Sequence, residues 1–283
     1  MVDRNVTEMD SLEYLEKLEI ELFLQGIYDW YGYDYRDYAY QSIRRRIWHR
    51  VEAEKVSSIL ELLDKVLHDT SCVQRLMADF SINVTEMFRD PLFFGQFREK
   101  VVPLLRTYPS IRIWHAGCST GEEIYSMAIL LKEEGLYDKT KIYATDINAD
   151  VLKIAKNGYY PLDNMKKYTS NYLQAGGKDA FSAYYTATNN GVRFNPCLTK
   201  NVVFAQHNLV TDRSFNEFHV IICRNVLIYF NKTLQAKVHQ LFYESLGMFG
   251  ILGLGDKETI AYTNQADHYK ELSGKHKLYQ KVN

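Results

Sequence analysis

Three short stretches place chemically capable side chains directly after apolar runs. The first is IRIWHAGCSTGEEIY (111–125), where an apolar run leads into two glycines and then Glu122 and Glu123. A buried strand, a glycine turn and a helix starting at Ser119 or Thr120 would leave backbone N–H groups free for a ligand. The turn lacks the GxGxxG spacing of dinucleotide sites, and the two acids would repel a pyrophosphate. The pattern therefore favours a ligand that carries positive charge.

The second stretch, KIYATDIN (141–148), is a β-prone run that ends in Asp146. In a βαβ unit, the acid at the tip of the second strand meets the ribose hydroxyls of a nucleotide. A ribose acid, the lack of a diphosphate loop and acids at the helix start together suggest S-adenosylmethionine. The placement favours a functional Asp146. For Glu122 and Glu123, cofactor contact and a capping box with the residue three positions earlier are equally good interpretations.

The third stretch, FHVIICRNVLIYF (218–230), carries Arg224 and Asn225 inside an apolar run, with Tyr229 about a turn later. A buried strand explains the apolar residues, but it does not explain an Arg-Asn pair, because burial of these groups without partners is costly. Such polar residues at strand ends are expected at the carboxyl edge of a sheet, where ligands bind. Asn208 and Leu209 occupy the same kind of position after another apolar run.

Arg89 precedes Asp90 and Pro91, a pair that predicts a helix start with proline in the first turn. Arg89 would then lie on a loop just before the first strand. From there its guanidinium could bind a ligand carboxylate through two hydrogen bonds or pair with a nearby Asp. The residue alone does not decide between them.

The elements that must position these side chains alternate between strand and helix. Apolar runs predict strands at 111–116, 141–146, 201–209, 218–230, 250–255 and 277–282. Helices are predicted at 121–134, 148–157 and 231–246, the last capped by Asn231. This alternation is typical of an α/β sheet with parallel strands.

Two regions depart from that alternation. Residues 1–80 show helical spacing and no strand signal, which predicts a helical domain ahead of an α/β domain at 81–283. Within the α/β domain, residues 158–200 contain Asn190-Gly191, a hairpin signal flanked by β-prone pieces. This region is predicted to be a small antiparallel insertion.

A dense group of bases, Arg44, Arg45, Arg46 and Arg50, lies in a helical stretch predicted at 38–68. A solvated helix face is the simpler interpretation and the one favoured by the sequence alone. The other interpretation is a docking surface for an acidic partner.

Composition narrows the class of protein. The chain has 283 residues and a net charge of −1, so general nucleic-acid binding is not indicated. Its four cysteines are widely spread without a CxxC pair, which predicts neither a metal site nor a disulfide framework. The first residues are too charged for a signal peptide, and no apolar run is long enough to cross a bilayer. We therefore expect a cytoplasmic protein.

Taken together, these stretches resemble the CheR-type chemotaxis receptor protein-glutamate O-methyltransferase family. The matching segments are INVTEMFRDP, GCSTGEEIYSMA, IYATDIN and CRNVLIYF, and the SIRRRIWHR region looks like the family's N-terminal helical domain. The resemblance runs in order through almost the whole chain.

The resemblance implies a Rossmann-like S-adenosylmethionine-dependent methyltransferase sheet with a small antiparallel β insertion, preceded by an all-helical domain. It implies methyl transfer from S-adenosylmethionine to glutamate side chains of chemoreceptors, with S-adenosylhomocysteine as product. Arg89 and Tyr229 are the side chains that such enzymes place near the transferring methyl. Together with Gly117 of the glycine turn, the cofactor contacts expected are Asn83, Thr85, Arg89, Glu123, Asp146, Asn208, Leu209, Arg224 and Asn225.

The implied partners are the acidic helices of methyl-accepting chemoreceptors, which Arg44, Arg45, Arg46 and Arg50 could attract. A monomer without membrane insertion is expected. The chain departs from the family pattern after Gly255, where Asp256 and Lys257 precede Glu258. This departure keeps two alternatives open: a methyltransferase for another protein or a small-molecule carboxylate, and a non-catalytic scaffold that binds the cofactor.

Overall fold

The computed structural model describes residues 8–80, 85–261 and 263–283, with side chains from residue 11 onward. The chain divides into two compact units. The helical unit is Met1–Ile82 with Tyr229–Leu234, and the sheet unit is Asn83–Ile228 with Gln235–Asn283.

Among its described residues, the helical unit contains the helices α1 Glu8–Tyr31, α2 Tyr40–Glu54, α3 Ile59–His68 and α4 Thr70–Phe80. Their inward faces bury a cluster that includes Ile20, Phe23, Ile27, Ile43, Ile47, Leu62, Val66, Leu76 and Phe80.

The helical stretch predicted at 38–68 is two helices, not one. Lys55 adopts a left-handed conformation with φ of 57°, which ends α2. Ser58 then caps α3, because its side chain accepts a hydrogen bond from the Glu61 N–H.

The strands of the sheet unit are β1 Ile111–Ala116, β2 Thr140–Asp146, β3 Tyr159–Pro161, β4 Tyr185–Thr188, β5 Gly191–Phe194, β6 Val202–Gln206, β7 Phe218–Cys223, β8 Leu246–Leu254, β9 Tyr269–Ser273 and β10 Leu278–Lys281. The remaining helices of the chain are α5 Pro91–Gln96, α6 Val102–Leu105, α7 Glu122–Glu133, α8 Ala149–Asn157, α9 Met165–Gln174 and α10 Lys232–Ser245.

Seven strands form the main sheet in the order β6-β2-β1-β7-β8-β10-β9. The first five are parallel, and β10 runs antiparallel to both of its neighbours. Because β2 lies on one side of β1 and β7 on the other, the strand order reverses beside β1. Ligands of doubly wound sheets bind at such a reversal, outside the carboxyl ends of the strands.

The predicted fold class is confirmed, with instructive differences in detail. The stretch predicted as a strand at 218–230 is strand only as far as Cys223, and a 3-10 turn follows at Leu227–Tyr229. Asn225 has a φ of 62°, which an extended strand cannot contain. The sequence patterns also missed β9 and α9.

The insertion contains the antiparallel sheet β3-β5-β4, together with α9. Its hairpin turn is Asn189-Asn190, and Gly191 begins β5. A Cβ at Gly191 would lie 2.5 Å from the carbonyl oxygen of Tyr160, so glycine is needed there for the approach of β3. Within the described ranges, no helix has both the length and the apolar character to cross a membrane.

Candidate functional site

The turn between β1 and α7 requires glycine at two positions, because neighbouring residues leave no space for a Cβ. Gly117 has a φ of +78°, and a Cβ there would lie 2.5 Å from the Val226 side chain. Gly121 has a φ of +95°, and a Cβ there would meet Ala155 at 2.7 Å. Since Gly121 is the N-cap residue, α7 begins at Glu122, and the predicted start at Ser119 or Thr120 is wrong.

The two acids at the start of α7 point to different surroundings. Glu122 is buried, its carboxylate accepts a hydrogen bond from the Thr120 hydroxyl at 2.6 Å, and burial raises its pKa. Because the N-cap residue of α7 is Gly121 and not Ser119 or Thr120, the capping-box interpretation is wrong for both acids.

Glu123 instead contacts His115 Nδ1 at 3.0 Å and Arg224 Nη1 at 2.9 Å. Burial raises the pKa of Glu123, but the hydrogen bonds and charges of His115 and Arg224 outweigh it, so the pKa lies below its usual value. Glu123 is therefore a carboxylate at the strand-order reversal.

Arg224 connects three segments of the sheet unit. Besides Glu123, its guanidinium donates to the Asp90 carboxylate at 2.6 Å and to the Arg89 carbonyl at 3.0 Å. The same group stacks on Phe93, 4.2 Å from the ring centroid. Its side chain is 1% exposed, and Nε has no partner among the described residues. Arg224 of the suspicious Arg-Asn pair is thus explained by an ion-pair network that joins the loop before α5, the start of α7 and the end of β7.

Asp146 ends β2 beside this network. Its two oxygens accept backbone N–H groups from Ser119 at 2.9 Å and Asn148 at 3.0 Å. Burial raises the pKa of Asp146. The carboxylate is therefore fixed at the carboxyl edge of the sheet, directly beside the glycine turn.

Asn208 and Leu209 follow β6, the neighbour of β2, and both are half-buried. The Asn208 side-chain oxygen accepts the Val210 N–H at 2.9 Å, and the preceding residue, His207, donates its N–H to the Asp146 carbonyl. The structure thus gathers Gly117, Glu123, Asp146, Asn208, Leu209, Arg224 and Asn225 along one edge of the main sheet.

The segment before α5 is described only in part. Asn83 lies outside the described residues. Thr85 and Arg89 are half-buried, and Arg89 makes polar contacts of its own. Asp90 occupies the predicted N-cap position, but with a φ of 55° and no capping bond, because its carboxylate binds Arg224.

Tyr229 belongs to the helical unit, where its carbonyl accepts the Ala39 N–H at 2.8 Å. Its ring centroid lies 5.0 Å from the guanidinium carbon of Arg46. Arg46 is buried and donates to the Phe80 carbonyl at 2.7 Å, while Nε and Nη2 have no partner within the described ranges.

The arginines of α2 do not form one solvated face, so the simpler interpretation is wrong for half of them. Arg46 and Arg50 are buried, and Arg50 pairs with Asp79. Arg44 and Arg45 are exposed, and Arg44 pairs with Glu16 at 2.9 Å. Only the exposed pair is open to long-range attraction of a partner.

Three residues that hold the site together were not predicted as site residues: His115 and Glu258 were given no role, and Asp90 was predicted only as a helix start. His115 was detectable as a polar residue in a buried strand. Glu258 lies in the departing segment, and its buried carboxylate accepts backbone N–H groups from Gly255 and from residues 225–227. Nothing local in the sequence points to that contact. No cluster of three or more metal-ligand side chains occurs in the part of the chain that the structure describes.

Comparison with known families identifies the cofactor of this chain. The family described as CheR methyltransferase, SAM binding domain, matches residues 83–278, and the CheR methyltransferase all-alpha domain matches residues 18–81. The chain belongs to the CheR methyltransferase family. It is an S-adenosylmethionine-dependent methyltransferase.

Individual relatives agree with this assignment. The chain is 47% identical to "Putative methyltransferase Cher3" of Pseudomonas putida, over 93% of this chain and 97% of that protein. It is 30% identical to the chemotaxis protein methyltransferase of Borreliella burgdorferi, over 87% and 89% of the two chains. A 104.1 kDa protein of Rhodobacter capsulatus is 28% identical over 87% of this chain, which spans about a quarter (26%) of that protein.

The residues present fit the cofactor of this family. Asp146 offers a fixed acceptor at the tip of β2, the position that meets ribose hydroxyls in such sheets. The turn after β1 is followed by acids, which suits a sulfonium and disfavours a pyrophosphate. The cofactor, when bound, supplies an electrophilic methyl group.

Proposed function

We propose that this CheR-family methyltransferase esterifies glutamate side chains of chemoreceptors, using S-adenosylmethionine as the methyl donor. The observation that supports this most strongly is the network of Glu123, Arg224 and Asp90 beside Asp146, in which Arg224 is 1% exposed. It provides a prebuilt edge at the strand-order reversal. Relatives named chemotaxis protein methyltransferase support the receptor as substrate.

A glutamate carboxylate needs little chemical activation. Its reference pKa is about 4.3, so it is ionised at neutral pH and requires no general base. It does need an in-line approach and the removal of water, because attack on a sulfonium neutralises charge. The task of the protein is therefore to orient the carboxylate.

We assign that orientation to Arg89 and Tyr229. The carbonyl of Arg89 and the carboxylate of Asp90 both accept hydrogen bonds from Arg224. These contacts support a position of Arg89 next to the proposed cofactor edge. Arg89→Ala is expected to lower kcat about 100-fold, while the affinity for S-adenosylhomocysteine (AdoHcy) falls less. An Arg89→Ala enzyme that kept full turnover at saturating cofactor and lost only affinity would reject the orienting role.

Arg44 and Arg45 are proposed to attract the acidic receptor helices over longer distances. Arg45→Ala should weaken the salt dependence of receptor binding, whereas Arg36→Ala, a paired and exposed arginine outside this group, should not. Equal salt dependence in the Arg45 variant and the unmodified chain would remove the steering role.

The decisive experiment measures methyl transfer to receptor cytoplasmic fragments. Labelled S-adenosylmethionine is supplied, and base-labile methyl esters are scored as released methanol. Asp146→Asn is the matched variant, since it keeps the shape of the side chain and removes the charge. Cofactor binding without any ester on receptor glutamates would reject the proposed substrate.

A second acceptor class is supported by one observation. The 47% identical relative is named only as a methyltransferase, while the relatives named for chemotaxis are about 30% identical. A different protein or small-molecule carboxylate is therefore the alternative substrate, and parallel assays with total cell protein and with a small-molecule cell extract separate these acceptors from the receptor. A non-catalytic scaffold is not retained, because the chain belongs to a methyltransferase family. A cytoplasmic monomer is expected in each case.

A further inference from the structure

The segment Arg224–Leu227 after β7 is held by a single carboxylate from a distant part of the chain. Glu258 Oε2 accepts the N–H groups of Gly255 at 2.6 Å and Asn225 at 3.1 Å. Oε1 accepts the N–H groups of Val226 at 2.9 Å and Leu227 at 2.8 Å. Each oxygen thus serves two donors, and the side chain is buried.

This carboxylate fixes a bent backbone. Asn225 has a φ of 62°, a left-handed conformation that asparagine tolerates better than most residues with a Cβ. Three consecutive N–H groups of this segment converge on the Glu258 carboxylate. Without Glu258, the buried Leu227 N–H would lose its acceptor.

Gly255 is part of the same arrangement. A Cβ at Gly255 would lie 2.8 Å from Glu258 Oε2 and 2.9 Å from the Asn225 nitrogen. Only glycine leaves room for that hydrogen bond. Asp256 and Lys257, between the two residues, are exposed. Gly255 and Glu258 are thus tied to the carboxylate contact, while the two residues that depart from the family pattern are not.

The segment Arg224–Leu227 contacts the glycine turn, the start of α7 and the loop before α5. Val226 packs against the backbone of Gly117 in the glycine turn. Arg224 reaches Glu123 at the start of α7 and Asp90 before α5. A shift of this segment would therefore move the proposed cofactor contacts Arg224 and Asn225 together.

We propose that Glu258 is a positioning residue for cofactor binding, acting by fixing the Arg224–Leu227 segment against the glycine turn. This rests on the proposed cofactor contacts of Arg224 and Asn225. Glu258 itself need not touch the cofactor.

Glu258→Gln tests this, because the amide keeps the size of the side chain but turns an NH2 donor toward two N–H donors. AdoHcy affinity, measured by calorimetry on the full chain, is expected to fall at least ~10-fold. The KM for S-adenosylmethionine should rise by a similar factor, with kcat at saturation changed less. Asp256→Ala and Lys257→Ala should leave both values within about twofold.

Glu133→Gln is the matched control for a purely structural role. Glu133 is another buried carboxylate of the sheet unit, accepting the Tyr184 hydroxyl at 2.9 Å and the Lys178 N–H at 3.1 Å. It lies at the far end of α7, roughly 16 Å along the helix from Glu122. The Glu133→Gln substitution should lower the melting temperature without a matching loss of AdoHcy affinity.

Equal losses of affinity in the Glu133 and Glu258 variants, or a folded Glu258→Gln chain with unchanged affinity, would overturn the positioning role. If Glu258→Gln does not fold, Glu258→Asp, which keeps the charge on a shorter stem, decides by the same measurement. Failure of both to fold would assign Glu258 to folding and overturn the proposal. If the unmodified chain did not bind AdoHcy, the proposed cofactor edge itself would be rejected. That result differs from one in which the unmodified chain binds AdoHcy and only the Glu258 variant does not.

Discussion

Arg224 shows how one side chain can be both buried and charged. Its guanidinium is nearly inaccessible, yet two carboxylates, a carbonyl and an aromatic face surround it. Breaking a buried ion pair by removing one partner costs about 3–5 kcal/mol, because the other charge is left without compensation. The same network holds the start of α7, so its loss should affect both stability and ligand binding.

Arg224→Met is expected to lower the free energy of unfolding by about 3 kcal/mol and to weaken AdoHcy binding at least tenfold. Arg224→Lys keeps the charge but cannot serve Glu123 and Asp90 together, so it should fall between Met and Arg. Urea unfolding and calorimetry measure the two effects. Arg112→Lys, at an exposed pair with Glu217, is the control and should change stability by less than about 0.5 kcal/mol. Wild-type affinity in Arg224→Met would contradict the assignment.

We expect Asp146 to make cofactor affinity depend on pH. Burial raises its pKa above the usual 3.8, and ribose hydroxyls bind the ionised form. AdoHcy affinity should therefore fall on acidification at a pH above the one at which an ordinary aspartate protonates. Asp146→Asn should weaken binding about 10- to 100-fold at neutral pH, the value of a hydrogen bond to a charged group. It should also remove part of the pH dependence; an unchanged calorimetric pH profile in this variant would exclude Asp146 as its source.

At the scale of elements, α10 carries a titratable group that the cofactor edge does not use. His239 is buried, Nε2 has no partner among the described residues, and burial lowers its pKa to about 4. The unfolded chain takes up a proton near pH 6.5, whereas the folded chain does so only near pH 4. The free energy of unfolding therefore declines as the pH falls through this interval.

The expected loss from His239 is about 3 kcal/mol between pH 6.5 and 4, from the difference between the two pKa values. Chemical denaturation across this range should show a shallower decline in His239→Leu. Identical slopes in His239→Leu and the unmodified chain would show that His239 does not titrate as described.

Elements were predicted best where the apolar pattern was continuous. β1 was predicted at its observed bounds, and the helix after Asn231 was correct, since the Asn231 side chain accepts the Leu234 N–H at 2.9 Å. The strand at 218–230 was too long because apolar residues of a 3-10 turn resemble those of a strand. α9 was missed because its tyrosines pack against the neighbouring aromatic cluster, a partner that periodicity does not reveal.

At the scale of the whole molecule, the helical unit is not one continuous piece of chain. Tyr229–Leu234 comes from beyond β7 and completes it. Phe230 is buried, and its ring centroid lies 4.9 Å from that of Tyr38. The Asn231 N–H donates to the Asp37 carbonyl at 2.9 Å. Stability of the helical unit should therefore depend on this distant segment.

Phe230→Ala is expected to destabilise the helical unit by about 3 kcal/mol, the usual cost of truncating a buried aromatic ring. Hydrogen exchange followed by mass spectrometry should show lost protection in α2 and α4, with β1 and β2 less affected. Leu92→Ala, at an exposed leucine, should leave protection unchanged. Equal loss of protection in β1 and β2 would mean that the segment does not act on the helical unit in particular.

The sequence by itself determined the alternation of strands and helices, the glycine turn, the acid at the end of β2 and the family of the chain. These depend on local spacing, which the chain carries in its own order. Only the tertiary structure decided which way each acid turns: Glu122 and Glu123 are neighbours of the same type, but one faces Thr120 and the other Arg224. It also decided that Arg46 and Arg50 are buried and that Glu258 holds residues 225–227. The contacts of Arg224 and Glu258 join residues far apart in the chain, and they form only when the packed elements bring donors and acceptors within hydrogen-bonding distance.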